Sequence, residues 1–509
     1  MVQQAVEGTS LQDSHPAMKA ALSSLREIVS LQSKFSSSGG VTFQNAKALP
    51  RGGLSELPMP PMPAVVAALH RTKDHSQLNT SFIYCFRPIE DFTELCLRVY
   101  FTAGNFSQAA FIIVNAGLYY LFLECSFVAG DDATCNEYRA HAQLCQCNLE
   151  TALTNLSLML PHNYETIEAL ILGASYAIEA SRASLAWLLN STAVTIGQTL
   201  GFHRSPPSSS VTIEGSGKYD NRAVLFWCAY SLDKGLSVRL GYAPLIADDD
   251  ITISTSTLDL MDNSWSEILH SWVSHATVQG RMYDQLYCAA ALALPVSQRQ
   301  ARVPGLATEM RGMIVDALQM AAKARDSGHK DSTRPTRGAG EAFADECLQS
   351  AREAMEMHML CLKMLDESSG VRGVYLHWAI LYAPFVPFIV IFCHVIKWPN
   401  EADMQRLRDF IHSLQSSCAT SEAITKLHQL CDVLYNVASS YIEAKAQQQT
   451  AAMGDDFDMY LSALGFAPLE HDEVLDSAAQ SSEIEDWYSG NRHMMELLEQ
   501  GLSQDNTSR

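Results

Sequence analysis

The chain has 509 residues, 47% of them apolar and 18% charged, enough apolar material for a sizeable core, so disorder cannot dominate. Its net charge of -21, from 35 Lys and Arg against 56 Asp and Glu, repels nucleic acid over most of the surface, and Arg71 with Lys73 or the loop Lys330 to Arg337 are too sparse to form a phosphate-binding patch. Thirteen cysteines at irregular spacing, without an N-terminal charged start, apolar run and small-residue cleavage site, point to an intracellular, reduced protein.

Residues 1–64 read as a flexible N-terminal segment and linker. Met18, Leu22, Leu25 and Val29 recur at helical spacing for about two heptads only, too few to argue a coiled coil. Ser36 to Gly40 is a linker signal, and Pro58, Pro60, Pro61 and Pro63 form a stiff extended connector.

From Val65 to Lys445 the apolar pattern is helical almost throughout, which predicts an all-α fold: one large helical domain over 65–445 between flexible ends. The apolar run Ala109 to Leu123 contains Asn115 and is closed by Glu124; the run Tyr382 to Ile396 contains Pro384, Pro387 and His394. Both are short and interrupted for a membrane span, so each predicts a buried core helix. His141 and Cys145, four residues apart with Cys147 nearby, could face one metal ion. A closed zinc site needs four ligands, usually with C-x-x-C pairs, and the chain has no such pair.

Gly173-Ala174-Ser175-Tyr176-Ala177 resembles a nucleophile elbow, but it lies inside a helical stretch rather than at a strand-turn-helix corner, so a small-residue helix contact is the better reading. Ala186, Leu189, Ala193, Ile196 and Leu200 follow the i, i+3, i+4 rule, and Gly201 stands where a left-handed cap ends the helix. After the loop Pro206 to Ser210, Leu225, Cys228, Leu232 and Leu236 share one stripe of a helix that closes near Gly241. His203 and Asp233 offer an imidazole and a carboxylate for acid/base work. The alternative is that Asp233 is a buried polar anchor, with Arg222, Lys234 or Arg239 as its partner. Asp326 to Gly340 reads as a surface insertion.

Over 446–509 the character changes. From Ala451 onward 13 Asp or Glu face only Arg492 and Arg509, and Phe457, Tyr460, Leu461 and Trp487 are interleaved with the acids. Such a tail matches amphipathic activation segments, in which charge keeps aromatic groups solvated until a partner groove accepts them, and it equally fits a solvated tail.

In order along the chain, Asn148 to Leu153, Glu168-Ala169-Leu170, Gly173 to Glu179, Ser184-Leu185-Ala186-Trp187 and Gln198 to Arg204 resemble the central homology region of fungal zinc-cluster transcription factors. The resemblance is strongest at Leu225-Phe226-Trp227, Tyr230, Leu232-Asp233-Lys234, Leu236 to Gly241 and Asp248 to Ile253, and returns at Leu381 to His394. The signature positions are Trp187, Gly201, His203, Arg204, Trp227, Asp233, Lys234, Arg239, Gly241, Pro384, Phe385, Pro387 and Phe388. The resemblance implies a nuclear, pathway-specific regulator of RNA polymerase II genes whose helical body controls an activation segment. The implied partners are DNA, directly or through a partner regulator, the transcription machinery, a second regulator subunit in a homo- or heterodimer, and a small-molecule effector; no membrane is implied. Family members begin with six cysteines holding two zinc ions, whereas the first cysteine here is Cys85. No zinc or other cofactor is therefore expected in this chain, zinc entering only through a cluster upstream. Tyr242-Ala243-Pro244 follows Gly241 where the family has an arginine. A helical sensor or co-regulator without DNA contact is the alternative reading, and no convergent set of titratable groups suggests an enzyme.

Overall fold

A computed structural model describes residues 43, 45–74, 85–102, 106–205, 221–261, 265–313, 343–365, 372, 375–381, 386–418 and 422–446. Among the described residues every regular element is helical. They fall into two compact units: one of residues 43–238 and 242–313, the other of 343–446 with Arg239–Gly241.

The first unit is built from α1 (Met62–Asp74), α2 (Ile89–Phe101), α3 (Gln108–Phe127), α4 (Asp132–Thr154), α5 (Tyr164–Glu179), α6 (Ala183–Thr199), α7 (Asn221–Leu240, to Val238) and α8 (Trp265–Met282). A π-helical turn at Tyr283–Tyr287 and short helical turns follow. The starts of three helices are written in the local sequence. Ser107, Asp131 and Asn163 stand just before α3, α4 and α5, and each side chain accepts a hydrogen bond from the amide three residues on, satisfying donors that the helix itself leaves open.

α3 is the hub, packed against α4 and α5 and also touching α1 and α2. It is apolar nearly all round, the pattern of a helix covered on every side. It is long and apolar enough to cross a membrane by composition, yet 72% of its most apolar window is buried within the protein. Asn115, in the middle of it, donates to the Phe111 carbonyl (2.9 Å) and accepts from Asn148 Nδ2 of α4 (3.1 Å). The polar interruption that argued against a span is thus a satisfied helix–helix contact.

The Leu153 side chain of α4 fits against α5 because Gly173 has no side chain: a Cβ there would stand 2.7 Å from Leu153 Cδ2. Ser175 turns its hydroxyl back to the Ile171 carbonyl (3.0 Å) and is buried, so the elbow-like motif is a packing contact inside α5. His141 faces Glu137 (3.7 Å), one turn away, and Cys145 is buried.

Residues 45–61 are docked on α2 and α4, so the edge of the first unit lies well before the linker boundary that composition places at 64. Proline-rich extended chain can order when its carbonyls find donors. Asn148 Nδ2 reaches the Pro58 carbonyl (2.8 Å) and the Tyr100 hydroxyl reaches that of Pro60 (2.8 Å).

The α5–α6 corner carries a local conflict that residue patterns do not reveal. Ser181 has φ +53°, and Arg182 N closes the turn on the Ala177 carbonyl (2.7 Å). That left-handed position favours glycine. The serine hydroxyl is also buried without a hydrogen-bond partner among the described residues. Ser181→Gly is therefore expected to raise stability by about 1 kcal/mol, through relief of left-handed strain and loss of an unsatisfied hydroxyl. A urea unfolding midpoint that falls on this substitution would contradict it.

The second unit is built from α9 (Phe343–Leu365), a π-helical turn at Leu376–Leu381, α10 (Val386–Lys397), α11 (Glu401–Gln415) and α12 (Glu422–Ala446). Asp403, fully buried in the first turn of α11, takes a two-pronged ion pair from Arg352 of α9 (2.9 and 2.6 Å) and a further bond from Arg406 (3.0 Å). Burial pushes its carboxyl upward, and the two guanidiniums outweigh that and hold it below the usual carboxylate range. Pro387 lies in the first turn of α10, where its missing N–H costs nothing. Phe388 is fully buried against Phe410, ring centroids 5.8 Å apart. Pro384 and Phe385 lie outside the described residues.

Candidate functional site: a loop clamped to α7

The residues singled out around 187–253 converge on one structure, the loop that follows α7. α6 ends as the sequence predicts. Gly201 has φ +76°, Phe202 N bonds the Gly197 carbonyl (2.9 Å) and Gly201 N that of Gln198 (3.0 Å), the paired bonds of a glycine-capped helix end. Gly241 repeats the device after α7, with φ +71° and Tyr242 N on the Ser237 carbonyl (3.0 Å). Ala186, Leu189, Ala193 and Ile196 are buried as their spacing requires, whereas Leu200 is 41% exposed, because it falls at the C-cap where the stripe leaves the core. The α7 stripe of Leu225, Cys228, Leu232 and Leu236 is buried throughout.

The chain turned by Gly241 is then held by two adjacent residues of α7. Asp233, 1% exposed, accepts hydrogen bonds from the amides of Leu245 (3.1 and 3.0 Å) and Ile246 (3.1 Å). Lys234, 3% exposed, donates to the Ile246 carbonyl (2.7 Å) and pairs with Asp248 Oδ1 (2.8 Å). Neighbouring helix positions point about 100° apart, so one side chain takes the amides of the loop and the other its carbonyl and its carboxylate. Asp233 takes its hydrogen bonds from main chain, because the loop brings two open N–H groups to it, and Lys234, one of the expected partners, acts on it through its charge. Burial raises the Asp233 carboxyl, and the two amides and Lys234 oppose that rise.

Tyr230, one turn before Lys234, completes the clamp. Its hydroxyl lies 3.2 Å from Asp248 Oδ1 and 3.3 Å from Thr277 Oγ1 of α8, and its ring sits 5.2 Å from Lys234 Nζ. α8 can approach because Gly280 faces the lysine: a Cβ there would meet Lys234 Cδ, Cε and Nζ at 3.2 Å. Residue spacing hides Gly280, Thr277 and Asp248, since they join the clamp from α8 and from the loop rather than from α7.

The end of the loop is tied beside Gly201. The His203 carbonyl accepts from Thr252 N (3.0 Å) and Ile253 N (3.2 Å), and Ser205 exchanges bonds with Thr252 (3.0 and 2.6 Å). Burial first, then Arg204, lowers the His203 imidazole below its ordinary value; Arg204 itself is exposed. No hydrogen bond or ion pair joins His203 to Asp233 among the described residues, so the acid/base pairing is not formed. Trp187 of α6 meets Tyr242 edge-on, ring centroids 4.9 Å apart, and Trp227 stacks edge-on with Tyr230 at 5.5 Å. Arg239 is buried, at 1% exposure. Between the helices Ile167, Val194, Gly197, Leu225, Phe226 and Ile246 border a void of about 10 Å³, room for one water-sized body.

The arrangement is self-satisfying: carboxylate, ammonium and phenol are committed to one another and to main chain, which suits a rigid structural junction. Phe457, Tyr460, Leu461 and Trp487 lie outside the described residues. The groups of His, Cys, Asp and Glu among the described residues do not form a cluster able to hold a metal ion.

Residues 125–276, from the end of α3 into α8, match the family described as fungal specific transcription factor domain. An uncharacterized transcriptional regulatory protein of Schizosaccharomyces pombe is 24% identical over 334 residues, 57% of this chain and 51% of that protein. An ABC-transporter-regulating transcription factor of Aspergillus fumigatus is 27% identical over 121 residues, 21% of this chain and 12% of its own. A transcriptional activator of proteases of Emericella nidulans is 30% identical over 106 residues, 21% and 15% respectively. The chain thus spans about half or less of these relatives' length. No solved structure gives a significant match.

Proposed function

We propose, from the fungal specific transcription factor domain over 125–276, that the chain is a transcription regulator acting in the nucleus of a fungus. In this reading the helical body is the control domain and 446–509 is an activation segment that recruits the transcription machinery. The observation that carries it is the match over 125–276, the stretch in which the clamp of Asp233, Lys234 and Tyr230 lies. Pathway-specific control, of the kind named for the protease activator of Emericella nidulans, is the form of regulation proposed, with an effector and a partner subunit as further elements. The body is assigned no cofactor, and zinc belongs to a cluster module outside it.

DNA is reached directly through such a module or through a partner regulator. The second version, a co-regulator that touches no DNA, is favoured by the net charge of -21. Tight, salt-sensitive DNA binding by the purified chain alone excludes it.

The tail is tested by fusion to a foreign DNA-binding module. Residues 446–509 are expected to raise reporter output, and replacing Phe457, Tyr460, Leu461 and Trp487 by alanine to remove most of that signal, because the apolar groups supply the contact and the acids only keep them solvated. Output that is absent, or unchanged in the alanine variant, removes the activation role.

A further inference from the structure

The strap formed by Phe43 and residues 45–61 is held in an unusual way. Its hydrogen bonds to the helices use main chain almost entirely. Asn45 N donates to Glu150 Oε2 (2.6 Å), Lys47 N to Thr151 Oγ1 (3.0 Å), and the Pro58 and Pro60 carbonyls accept from Asn148 and Tyr100 (2.8 Å each). The side-chain contributions among the described residues are Asn45 Nδ2 on Glu150 Oε1 (3.0 Å) and Met59 Sδ, which accepts from Asn148 Nδ2 (3.5 Å). Apolar anchoring is light: Phe43, Leu57 and Pro60 are buried, while 47–49, Arg51, Gly52, Ser55, Glu56 and Pro58 are exposed.

Glu150 of α4 is 2% exposed, and its carboxylate is met by Asn45 and the Tyr176 hydroxyl. Among the described residues no cation pairs with it. A buried carboxylate held by neutral donors keeps a large desolvation cost. Withdrawal of the strap would return it to water, so the bonds lost at Asn45 are offset by hydration regained. Phe43 packs on Tyr176 (centroids 5.6 Å), itself steadied by Gln146 (2.9 Å), so the same group of residues fixes the start of the strap.

We propose that the side chains of Tyr100, Asn148, Glu150 and Thr151 form a docking surface for extended peptide, filled by the chain's own residues 43–61, and that this strap leaves and returns as a unit while the helices stay folded. Glu150 sets the balance. Because the surface reads main chain, the register of the strap is specified at few positions, Asn45 above all. Whatever happens to residues before 43 is thereby linked to α4 and, through Tyr176, to α5 in the core of the body.

Hydrogen exchange read by mass spectrometry on the full chain tests this. In the unaltered protein the Asn45 and Lys47 amides are expected to exchange roughly tenfold or more faster than those of α3, by local opening. Glu150→Ala is expected to speed Asn45 and Lys47 by about a further tenfold with α3 and α7 unchanged. Thr151→Val, nearly isosteric, removes the acceptor of the Lys47 amide and is expected to speed Asn45 and Lys47 together, since the strap opens as a unit, with α3 and α7 unchanged. Strap and α3 amides exchanging at one common rate in the unaltered chain would overturn the proposal, as would strap protection unmoved by both substitutions. Where Glu150→Ala does not fold, the unaltered chain and Thr151→Val decide the outcome.

Discussion

Replacing Asp233 by alanine is expected to destabilise the first unit by about 3–5 kcal/mol, the range for breaking a buried charged contact. The substitution strips the hydrogen-bond acceptor from two main-chain amides, Leu245 and Ile246, and an unsatisfied buried donor costs about 1–3 kcal/mol. It also removes the carboxylate charge beside Lys234, leaving the loop to the bonds that Lys234 makes with Asp248 and the Ile246 carbonyl and that Tyr230 makes with Asp248. Asparagine at 233 is expected to cost less, because its oxygen can still accept from one amide while its nitrogen opposes the other. Urea unfolding gives the size of the loss, and hydrogen exchange over 242–253 shows whether the loop opens first. A loss under about 1 kcal/mol for the alanine variant would mean that the glycine caps and the His203 carbonyl hold the loop without the carboxylate.

Acid is expected to destabilise the second unit through a buried imidazole. His358 of α9 is 3% exposed, with Nδ1 3.0 Å from the Tyr375 hydroxyl and Nε2 2.9 Å from Ser413 Oγ. The Ser413 hydroxyl donates to the Phe410 carbonyl (2.6 Å), so Nε2 carries the proton and Nδ1 accepts from the tyrosine. Burial, and then the Arg372 charge, lowers this imidazole from 6.5 to about 4. Between those values the unfolded chain binds the extra proton and the folded chain does not, so stability rises with pH. The contribution is complete above the unfolded value and is lost as pH falls toward the folded one, about 3 kcal/mol in all at about 1.4 kcal/mol per unit. Asp403 does not share this window: its carboxyl lies below 3.8, so its stabilisation persists to lower pH. Exchange protection of α9 and α11 is expected to fall steeply from pH 7 to 4.5, and the fall to flatten in His358→Gln. An equal fall in that variant would assign it to other groups.

Much of the fold was legible in the residues because it is local. The stripes of α6 and α7 and the glycines at 201 and 241 specify where two helices lie and stop, and each rests on contacts within one or two turns. Ser181 shows the limit of such signals: it occupies the left-handed position that Gly201 and Gly241 fill, and serine does not announce it. The strap was read as a connector because its own composition is that of one. Its order comes from Tyr100, Asn148, Glu150 and Thr151, residues about 40–105 positions away.

Asp233 divides the two kinds of knowledge. Its place in the middle of an apolar helix marked it as a buried anchor, since a charge there must be compensated. What compensates it could not be read, because main-chain amides carry no signature in sequence and any residue at 245 or 246 supplies one. The same holds for Lys234, whose neighbours Gly280 and Tyr230 come from a packed helix and from one turn away. Sequence by itself determined the helical class, the helix ends capped by Ser, Asp, Asn or Gly, and the stripes that must be buried, since propensity and capping act within a few residues. Tertiary structure alone decided the strap, the loop clamp and the His358 network, since burial of a polar group is affordable only where distant segments deliver its partners.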